Sequence, residues 1–203
     1  MIKKPVLAVF DFDGTITTKD TLLEFIRFSK GNWSFLCGFT FFLPLLIAYK
    51  LKIYPNWKVK QQLFSYFFKG MHLSDFDRLC EDFYRYASKL IHPEARKAIQ
   101  RHLDAGDTLV VLSASIENWV RPFAEQLNIS SVLCTEIEID SDGCLTGRFS
   151  TPNCCGQEKV RRLLQLYPQR ETYYLVAYGD SSGDKDLMDI ADKKFYRCFC
   201  MEN

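Results

Sequence analysis

The chain of 203 residues is 47% hydrophobic and 15% aromatic, a composition that excludes a disordered chain and suffices for one α/β domain with a small insertion. Its 26 basic and 25 acidic residues nearly cancel, so bulk charge does not favour a nucleic-acid partner. The segment Met1–Pro5 leads directly into an apolar run, and we therefore expect no signal peptide and a cytoplasmic, reducing location.

The first predicted strand ends in two acids. Val6–Phe10 is β-branched and aromatic, as buried strands are, and Asp11, Phe12, Asp13 and Gly14 follow it directly. Side chains two residues apart in an extended segment share a face, so Asp11 and Asp13 can address one metal ion or phosphoryl group. Ligands collect at the carboxyl ends of parallel strands. The alternative interpretation is an ordinary strand followed by an Asp/Gly turn.

Residues 20–91 are predicted to form phenylalanine-rich helices inserted between two halves of an α/β domain. Asp20-Thr21 is typical of a helix start, and Ser74-x-x-Asp77 is typical of a capping box. Gly31 and its neighbours interrupt the first helix. Apolar residues recur at three- and four-residue steps in the segments Leu22–Phe28, Trp57–Lys69 and Leu73–Leu90.

The segment Phe35–Leu51 is apolar and almost free of charge, with a length at the edge of a transmembrane span. Pro44 lies in its middle and would kink a helix. A single crossing would also separate Asp11 from the rest of the domain. Three placements stay open: burial in a small helical domain, an interfacial or re-entrant segment that contacts a membrane surface, or a dimer surface.

The remainder of the chain alternates strands and helices, as a parallel sheet requires. We predict strands at Asp107–Leu112, Val132–Cys134, Thr172–Tyr178 and Phe195–Phe199, a hairpin over Glu136–Phe149, and helices over His92–Ala105, Ile116–Leu127, Gln157–Leu166 and Lys185–Ala191.

The eight cysteines form no metal or redox motif. The close pairs Cys154-Cys155 and Cys198-x-Cys200 lack the two-residue gap of a zinc knuckle or redox motif, and the three histidines lie far from them. We expect reduced thiols that act as small apolar side chains. Cys154 and Cys155 precede Lys159, which favours a place near the site entrance, but no chemistry is assigned to them.

Polar residues follow three of the predicted strands, and their ends meet at one edge of a parallel sheet. These residues are the Asp11/Asp13 pair, Ser113, and the Asp180/Asp184 pair, to which Lys159 near a helix start adds a cation. A carboxylate nucleophile, carboxylates for Mg²⁺ and a cation to balance charge are what phosphoryl transfer to an aspartate needs. Taken singly, Ser113 and Asp184 are also typical helix caps, and Lys159 is typical of a solvated helix face.

Together these motifs resemble the haloacid dehalogenase-like phosphatases of subfamily IB, the branch that contains phosphoserine phosphatase. Asp11-Phe12-Asp13-Gly14-Thr15, Ser113, Lys159 and Gly179-Asp180-x-x-x-Asp184 match the four family motifs in order. The resemblance implies a three-layer, Rossmann-like parallel sheet with an inserted all-helical cap. It places the core domain at residues 1–18 and 92–203 and the cap at residues 19–91.

The same resemblance implies the roles of the acids. Asp11 is the nucleophile that forms an aspartyl-phosphate, and Asp13 is the general acid and then the base. Mg²⁺ is bound by the Asp11 side chain, the backbone carbonyl of Asp13 and the Asp180 side chain, with Asp184 contributing directly or through water.

Ser113, Ala114 and Lys159 are implied to bind the phosphate of the substrate. Asp20 aligns with an acid near the substrate amine in phosphoserine phosphatases, but it also fits a simple helix cap. Those enzymes need an arginine for the substrate carboxylate, and Arg27, Arg78 and Arg85 lie in no matching motif. The cap therefore does not indicate phosphoserine.

Three hypotheses of function follow. The first is a Mg²⁺-dependent phosphomonoesterase acting on a small phosphorylated metabolite. The second is a peripheral lipid-phosphate phosphatase on the inner face of the membrane, since Phe35–Leu51 resembles the cap of a branch that includes a phosphatidylglycerophosphate phosphatase. The third is a silent binding module, which predicts a missing catalytic acid, and none is missing. Fold alone does not fix the reaction.

Overall fold

The computed structural model describes residues 4–51 and 53–199. It has a five-stranded sheet in the order β3-β2-β1-β6-β7, with every neighbouring pair parallel, and a separate antiparallel β4-β5 hairpin. The strands are β1 (Val6–Phe10), β2 (Thr108–Ile116), β3 (Ser131–Thr135), β4 (Ile137–Ile139), β5 (Leu145–Phe149), β6 (Tyr174–Gly179) and β7 (Lys193–Tyr196). The predicted α/β fold with a parallel sheet is confirmed.

Eight α-helices are described; the first five lie between β1 and β2 in the chain, and four of these fall within residues 20–91. They are α1 (Thr21–Phe41), α2 (Leu43–Lys50), α3 (Asn56–Phe68), α4 (Leu73–Ala87), α5 (Pro93–Asp104), α6 (Glu117–Gln126), α7 (Gln157–Leu166) and α8 (Lys185–Asp189). The insertion predicted for residues 20–91 is therefore helical, as expected.

The central strand β1 shows why the sheet has a layer on each face. Its side chains alternate, as the pleat requires. Leu7 and Val9 pack with α7 and α8, whereas Ala8 and Phe10 join the core formed with α5, α6 and the inserted helices. Both faces of β1 are thus covered, which explains why its sequence is a continuous apolar run.

The inserted helices pack around Phe25 of α1. Its ring contacts those of Phe68, Phe76 and Phe83 at centroid distances of 5.2, 5.6 and 5.1 Å. It also stacks at 4.9 Å on Trp119 of α6, which belongs to the sheet layer. Phe25 therefore joins the inserted helices to the α/β domain.

The β4-β5 hairpin pairs with the inserted helices as well as with itself. The Gly70 N–H donates to the Leu145 carbonyl at 2.8 Å, and the Leu145 N–H donates to the Met71 carbonyl at 2.9 Å. These bonds fix the start of α4, whose N-cap is His72, with its Nδ1 accepting from the Ser74 N–H. The prediction that Ser74 begins a capping box is therefore wrong, because the helix is capped two residues earlier, by His72.

The segment Phe35–Leu51 is divided between core and surface. Phe35 and Phe42 are buried, whereas Phe41 and Ile47 are exposed. The chain bends by 62° between α1 and α2, and Pro44 lies in the first turn of α2, where its ring is tolerated. Within the described residues no single helix has the length and apolarity to cross a membrane; α1 and α2 pass that test only when taken together.

The ends of two strands differ most from the prediction. β2 continues to Ile116 instead of ending at Leu112, because the chain stays beside β3 across a bulge between Ser113 and Ile116. The last strand lies at Lys193–Tyr196 instead of Phe195–Phe199, because Arg197 takes a φ of 53° and turns its N–H to the Gly179 carbonyl at 2.8 Å. Cys200 lies outside the described residues.

Candidate active site

A pocket of about 390 Å³ opens at the carboxyl edge of β1, β2 and β6. Of the residues predicted for the site, it is lined by Asp11, Asp13, Asp20, Ser113, Ala114, Lys159 and Asp180. Asp184 lies directly behind it and is completely buried. The structure thus brings together all the residues that the motifs singled out, although they come from four separate parts of the chain.

Asp11 is held by the sheet and by a buried lysine. Its backbone N–H donates to the Tyr178 carbonyl at 2.9 Å, which continues the β1-β6 ladder beyond the strand. Lys159 Nζ lies 2.8 Å from Asp11 Oδ1 and 2.5 Å from Asp184 Oδ1. The Lys159 side chain is 2% exposed, so its charge is balanced by these carboxylates and not by water. The interpretation of Lys159 as a solvated helix lysine is wrong.

Asp11 and Asp180 both have raised pKa values. Burial raises the pKa of Asp11 to about 6, even though Lys159 opposes the shift. Burial, followed by repulsion from Asp11 and Asp184, raises the pKa of Asp180 to about 6. The site therefore concentrates more negative charge than its single buried lysine neutralises.

Asp184 fixes the loop that carries Asp180. Its Oδ2 accepts hydrogen bonds from the backbone N–H groups of Asp180 and Ser181 at 3.2 and 3.0 Å and from the Ser181 hydroxyl at 2.9 Å. Burial opposes ionisation of Asp184, but Lys159 and these donors outweigh it and hold its pKa below the usual range. Both Asp184 oxygens are thus engaged by the protein itself.

Asp13 is held by two residues, and one of these by a third, none of which the sequence analysis predicted for the site. Its Oδ1 accepts from the Thr21 N–H at 2.8 Å and from the Thr21 hydroxyl at 2.6 Å, and its Oδ2 accepts from the Ser115 hydroxyl. Trp119 Nε1 in turn donates to Thr21 Oγ1 at 3.2 Å. Burial raises the pKa of Asp13, which favours a carboxyl group able to carry a proton.

No local pattern points to these three residues. Thr21 was identified only as part of a helix start, Ser115 only as part of Ser113-Ala114-Ser115, and Trp119 only as part of a predicted helix. Thr21 and Ser115 reach Asp13, and Trp119 reaches Thr21, because the start of α1, the end of β2 and α6 lie close together.

Ser113 lies in the pocket but not at a helix start. Its side chain is 1% exposed, and its Oγ accepts from the Ser115 N–H at 3.2 Å. Helix α6 begins only at Glu117, with Ile116 as its N-cap, so the interpretation of Ser113 as a helix cap is wrong. The bulge after Ser113, where Thr135 Oγ1 donates to the Ala114 carbonyl at 3.1 Å, shapes this wall of the pocket instead.

The acids of the pocket fit a hard divalent cation. Asp11, Asp180 and Asp184 each offer a carboxylate oxygen, and the three atoms lie within 4.8 Å of one another. Oxygen donors of this type are those that Mg²⁺ prefers, and the raised pKa values of Asp11 and Asp180 mark charge that such a cation would relieve. Gly14 leaves room for the Asp180 carboxylate beside Asp11. It has a φ of 75°, and a Cβ there would overlap that carboxylate.

The inserted helices supply the outer wall of the pocket through Asp20, Tyr49, Asn56 and Lys60. Asp20 caps α1, with its Oδ1 accepting from the Leu22 and Leu23 N–H groups at 3.0 and 3.3 Å. The contacts of Asp20 are therefore those of a helix N-cap. No sequence pattern pointed to Tyr49, Asn56 or Lys60.

The arginines considered for a substrate carboxylate are engaged elsewhere. Arg78 and Arg85 pair with Asp75 and Asp82 on the surface of α4. Arg27 lies over the Phe35 ring at 4.4 Å and is absent from the pocket wall. This wall does not use arginine.

Of the two cysteines near the site, only Cys154 is buried as a small apolar side chain would be. Cys154 is buried, which raises the pKa of its thiol to about 12. Cys155 is exposed and lines the pocket, as its position in the sequence suggested. Cys37, Cys80, Cys134 and Cys144 also carry free thiols.

Comparison with known proteins identifies relatives across nearly the whole chain. A model of the haloacid dehalogenase-like hydrolases matches residues 8–189. Protein CicA of Caulobacter vibrioides is 33% identical over 198 residues, covering 97% of this chain and 87% of CicA.

Two solved structures share the fold. A Bordetella pertussis protein of unknown function superposes with a TM-score of 0.81 at 19% identity, over 95% of this chain and 89% of that one. A substrate-bound phosphoserine phosphatase superposes with a TM-score of 0.68 at 17% identity, over 97% of this chain and 86% of that one. At these identities the similarity concerns the fold alone.

Proposed function

Because this chain belongs to the haloacid dehalogenase-like hydrolases, we propose that it is a Mg²⁺-dependent phosphatase that hydrolyses phosphate monoesters through a phosphorylated Asp11. The observation that carries the proposal is the contact of Lys159 with both Asp11 and Asp184 beside Asp180. This contact keeps a nucleophilic carboxylate, a buried cation and a metal-binding acid together at one pocket. In this proposal residues 19–91, together with the β4-β5 hairpin, form the cap over that pocket.

In the first step a carboxylate oxygen of Asp11 attacks the phosphorus atom, and the bond from phosphorus to the leaving oxygen breaks. The Asp13 carboxyl group donates its proton to that oxygen, so the leaving group departs as an alcohol. Lys159 and Ser113 hold the phosphoryl oxygens, and Lys159 also offsets the charge of the nucleophile.

In the second step the Asp13 carboxylate takes a proton from a water molecule, whose oxygen attacks the phosphorus of the aspartyl-phosphate. The bond to Asp11 breaks, and inorganic phosphate and the free carboxylate are restored. Thr21 and Ser115 hold Asp13 for both proton transfers.

Asp11, Asp180 and the backbone carbonyl of Asp13 would hold Mg²⁺, with Asp184 contributing through the loop that it fixes. When bound, the ion supplies positive charge that neutralises the phosphoryl oxygens and orients them.

Lys60 points to the chemistry of the leaving group. Of the lysines that line the pocket, Lys19 pairs with Glu24 and Lys159 with two acids. Lys60 forms no ion pair within the described part of the chain, and it is half-buried in α3 on the cap side. We propose that it binds a second anionic group on the leaving alcohol.

This predicts a measurable selectivity. Lys60→Met should raise KM at least tenfold for a monoester whose alcohol carries an anion, and leave KM for p-nitrophenyl phosphate within about twofold. Lys69→Met, at the exposed end of the same helix, is the matched control. Equal changes in KM for both substrates would contradict the binding of the leaving group by Lys60.

A lipid phosphate is the second candidate substrate. The helices α2 and α3 that provide Tyr49, Asn56 and Lys60 also carry exposed apolar side chains, including Ile47 and Trp57. A substrate with an apolar tail would therefore meet apolar surface beside the pocket mouth.

The decisive experiment is phosphate release from a panel that includes p-nitrophenyl phosphate, phosphoserine and a lipid phosphate, with Mg²⁺ and with EDTA. We expect turnover that EDTA and Asp11→Asn abolish, and that Asp142→Asn, on an exposed turn, leaves intact. Turnover that persists in Asp11→Asn would contradict the phosphorylated Asp11, and no turnover on any ester would contradict the phosphatase. The ranking of the panel separates soluble from lipid substrates.

A further inference from the structure

The exposed apolar side chains of this protein are concentrated on three contacting helices. Ten of the fifteen large hydrophobic residues that are exposed in the described chain lie between residues 33 and 66. We call the apolar face the set on α1, α2, α3 and their connection that comprises Trp33, Leu36, Phe41, Leu43, Ile47, Leu51, Ile53 and Trp57.

These side chains are strongly exposed. Trp33 is 82% exposed, Phe41 71% and Ile53 75%. Helix α2 has no buried residue, although seven of its eight residues are uncharged (LPLLIAYK). Contiguous exposed apolar surface on a folded protein marks an interaction site.

The segment that carries the apolar face contains charge of one sign only. Residues 25–74 contain no Asp or Glu at all, yet they carry Arg27, Lys30, Lys50, Lys52, Lys58, Lys60 and Lys69. This segment thus holds seven of the 26 basic residues and none of the 25 acidic ones, in a chain whose net charge is only +1. The partner that fits an apolar, aromatic segment with only basic charges is itself apolar beneath an anionic layer.

The length of α2 and the bend before it decide how this segment would lie against such a layer. At 1.5 Å per residue the eight residues of α2 extend about 12 Å, far less than the roughly 30 Å of a bilayer core. The bend of 62° after α1 also prevents one straight crossing. An orientation in the plane of the interface accommodates both features.

A second copy of this chain is a less suitable partner for the apolar face. A two-fold contact through the apolar face would set the basic residues of one copy against those of the other.

From this combination of exposure, charge and geometry we propose that the apolar face docks the protein onto an anionic lipid surface, with α2 lying in the interface. Trp33 and Trp57 of the apolar face suit the membrane interface, because an indole ring has an apolar body and a polar N–H. Docking would bring the pocket mouth, bordered by Tyr49 and Asn56, towards the membrane. The proposal concerns binding and holds whatever ester is hydrolysed.

The test is co-sedimentation of the full chain with vesicles of phosphatidylcholine alone, or of equal parts phosphatidylcholine and phosphatidylglycerol. We expect binding to the anionic vesicles that weakens at least tenfold between about 0.05 M and 0.5 M NaCl, and little binding to phosphatidylcholine. Leu43→Asp/Ile47→Asp should lower the partition coefficient at least tenfold. Its matched control, Ile139→Asp/Leu166→Asp, changes two exposed apolar residues elsewhere and should have no effect.

The lysines provide an independent variant. Lys50→Glu/Lys58→Glu should weaken binding to anionic vesicles at least 25-fold, since each lysine near the surface is worth roughly fivefold. Lys89→Glu/Lys193→Glu, outside the apolar face, should weaken it less than threefold. All four double variants should retain turnover of p-nitrophenyl phosphate, which would show that they are folded.

Absence of binding to anionic vesicles at low salt would overturn the proposal. Equal losses of vesicle binding in a variant and its control would overturn it as well. A dimer seen by light scattering that Leu43→Asp/Ile47→Asp dissociates, without vesicle binding, would assign the face to a second copy instead. Asp11→Asn should bind vesicles like the unchanged protein. Failure of docking is therefore distinguishable from failure of the phosphatase proposal.

Discussion

Thr21 holds Asp13 through two bonds to a single oxygen: its backbone N–H lies 2.8 Å and its hydroxyl 2.6 Å from Asp13 Oδ1. Thr21 is the first residue of α1, so the general acid that we propose is positioned by the start of the inserted helices. The position of this carboxyl group is thereby linked to the packing of the helices that cover the pocket.

Removal of the Thr21 hydroxyl should slow turnover without unfolding the protein. Thr21→Val keeps the shape and the backbone donor but removes one bond to Asp13 and the acceptor of Trp119 Nε1. We expect kcat for p-nitrophenyl phosphate to fall about 10- to 100-fold, as for the loss of a hydrogen bond to a charged group, with KM nearly unchanged.

Thr21→Ser is the matched control, because it restores the hydroxyl and should recover most of kcat. If Val and Ser variants lose kcat equally, or if only the melting temperature falls, Thr21 has a structural role alone.

The buried contact of Lys159 with Asp11 and Asp184 should be costly to break. Lys159→Met leaves two buried carboxyl groups without their cation, and we expect the free energy of unfolding, measured in urea with EDTA, to fall by about 3–5 kcal/mol. Lys97→Met removes a lysine from an exposed pair with Glu94 and should have little effect. Similar stability of the two variants would show that Lys159 does not hold the site together.

The sequence predicted the part of the site that depends on strand ends. Asp11, Asp13 and Asp180 follow apolar runs, and the carboxyl ends of parallel strands must meet at one edge, so their convergence needs no tertiary detail. The order and type of the elements were predictable for the same reason, since apolar periodicity distinguishes helices from strands.

The rest depends on contacts between distant segments. Ser115 meets Asp13 only because β2 bulges after Ser113, and Trp119 reaches Thr21 only because α6 packs on α1. The start of α4 is likewise fixed by the hairpin, which pairs with Met71 some 70 residues earlier in the chain. Local patterns contain none of this information.

Gly14 should be required for the metal site in particular. Gly14→Ala places a Cβ against the Asp180 carboxylate at a φ of 75°, so Asp180 must move. We expect the Mg²⁺ concentration for half-maximal activity to rise at least tenfold. Gly106→Ala is the control for backbone strain: its φ is 73°, but nothing lies within 4 Å of a Cβ there.

Gly106→Ala should therefore cost about 1 kcal/mol of stability and leave the Mg²⁺ dependence unchanged. An unchanged Mg²⁺ dependence in Gly14→Ala would contradict the role assigned to Asp180.

Glu158 should stabilise the protein above pH 5 and lose that effect in acid. Its carboxylate accepts from Arg161 at 2.6 and 2.7 Å and from Arg162 at 2.8 Å, and these bonds hold its pKa at about 2. A folded-state pKa below the unfolded value of roughly 4.3 means that the stabilisation is complete above the unfolded value and is lost as pH falls towards 2. Because solvent screens part of the interaction, we expect about 1–2 kcal/mol at pH 7.

The measurement is the free energy of unfolding in urea for Glu158→Gln and the unchanged protein between pH 7 and pH 3. The difference should be constant down to about pH 5 and less than half as large at pH 3, where Glu158 becomes protonated in the unfolded chain. Glu171→Gln, in which the replaced carboxylate is exposed, should show no such trend. A difference that is independent of pH would mean that Glu158 acts through packing of Arg162, which is buried and donates to the Pro152 carbonyl at 2.7 Å, and not through its charge.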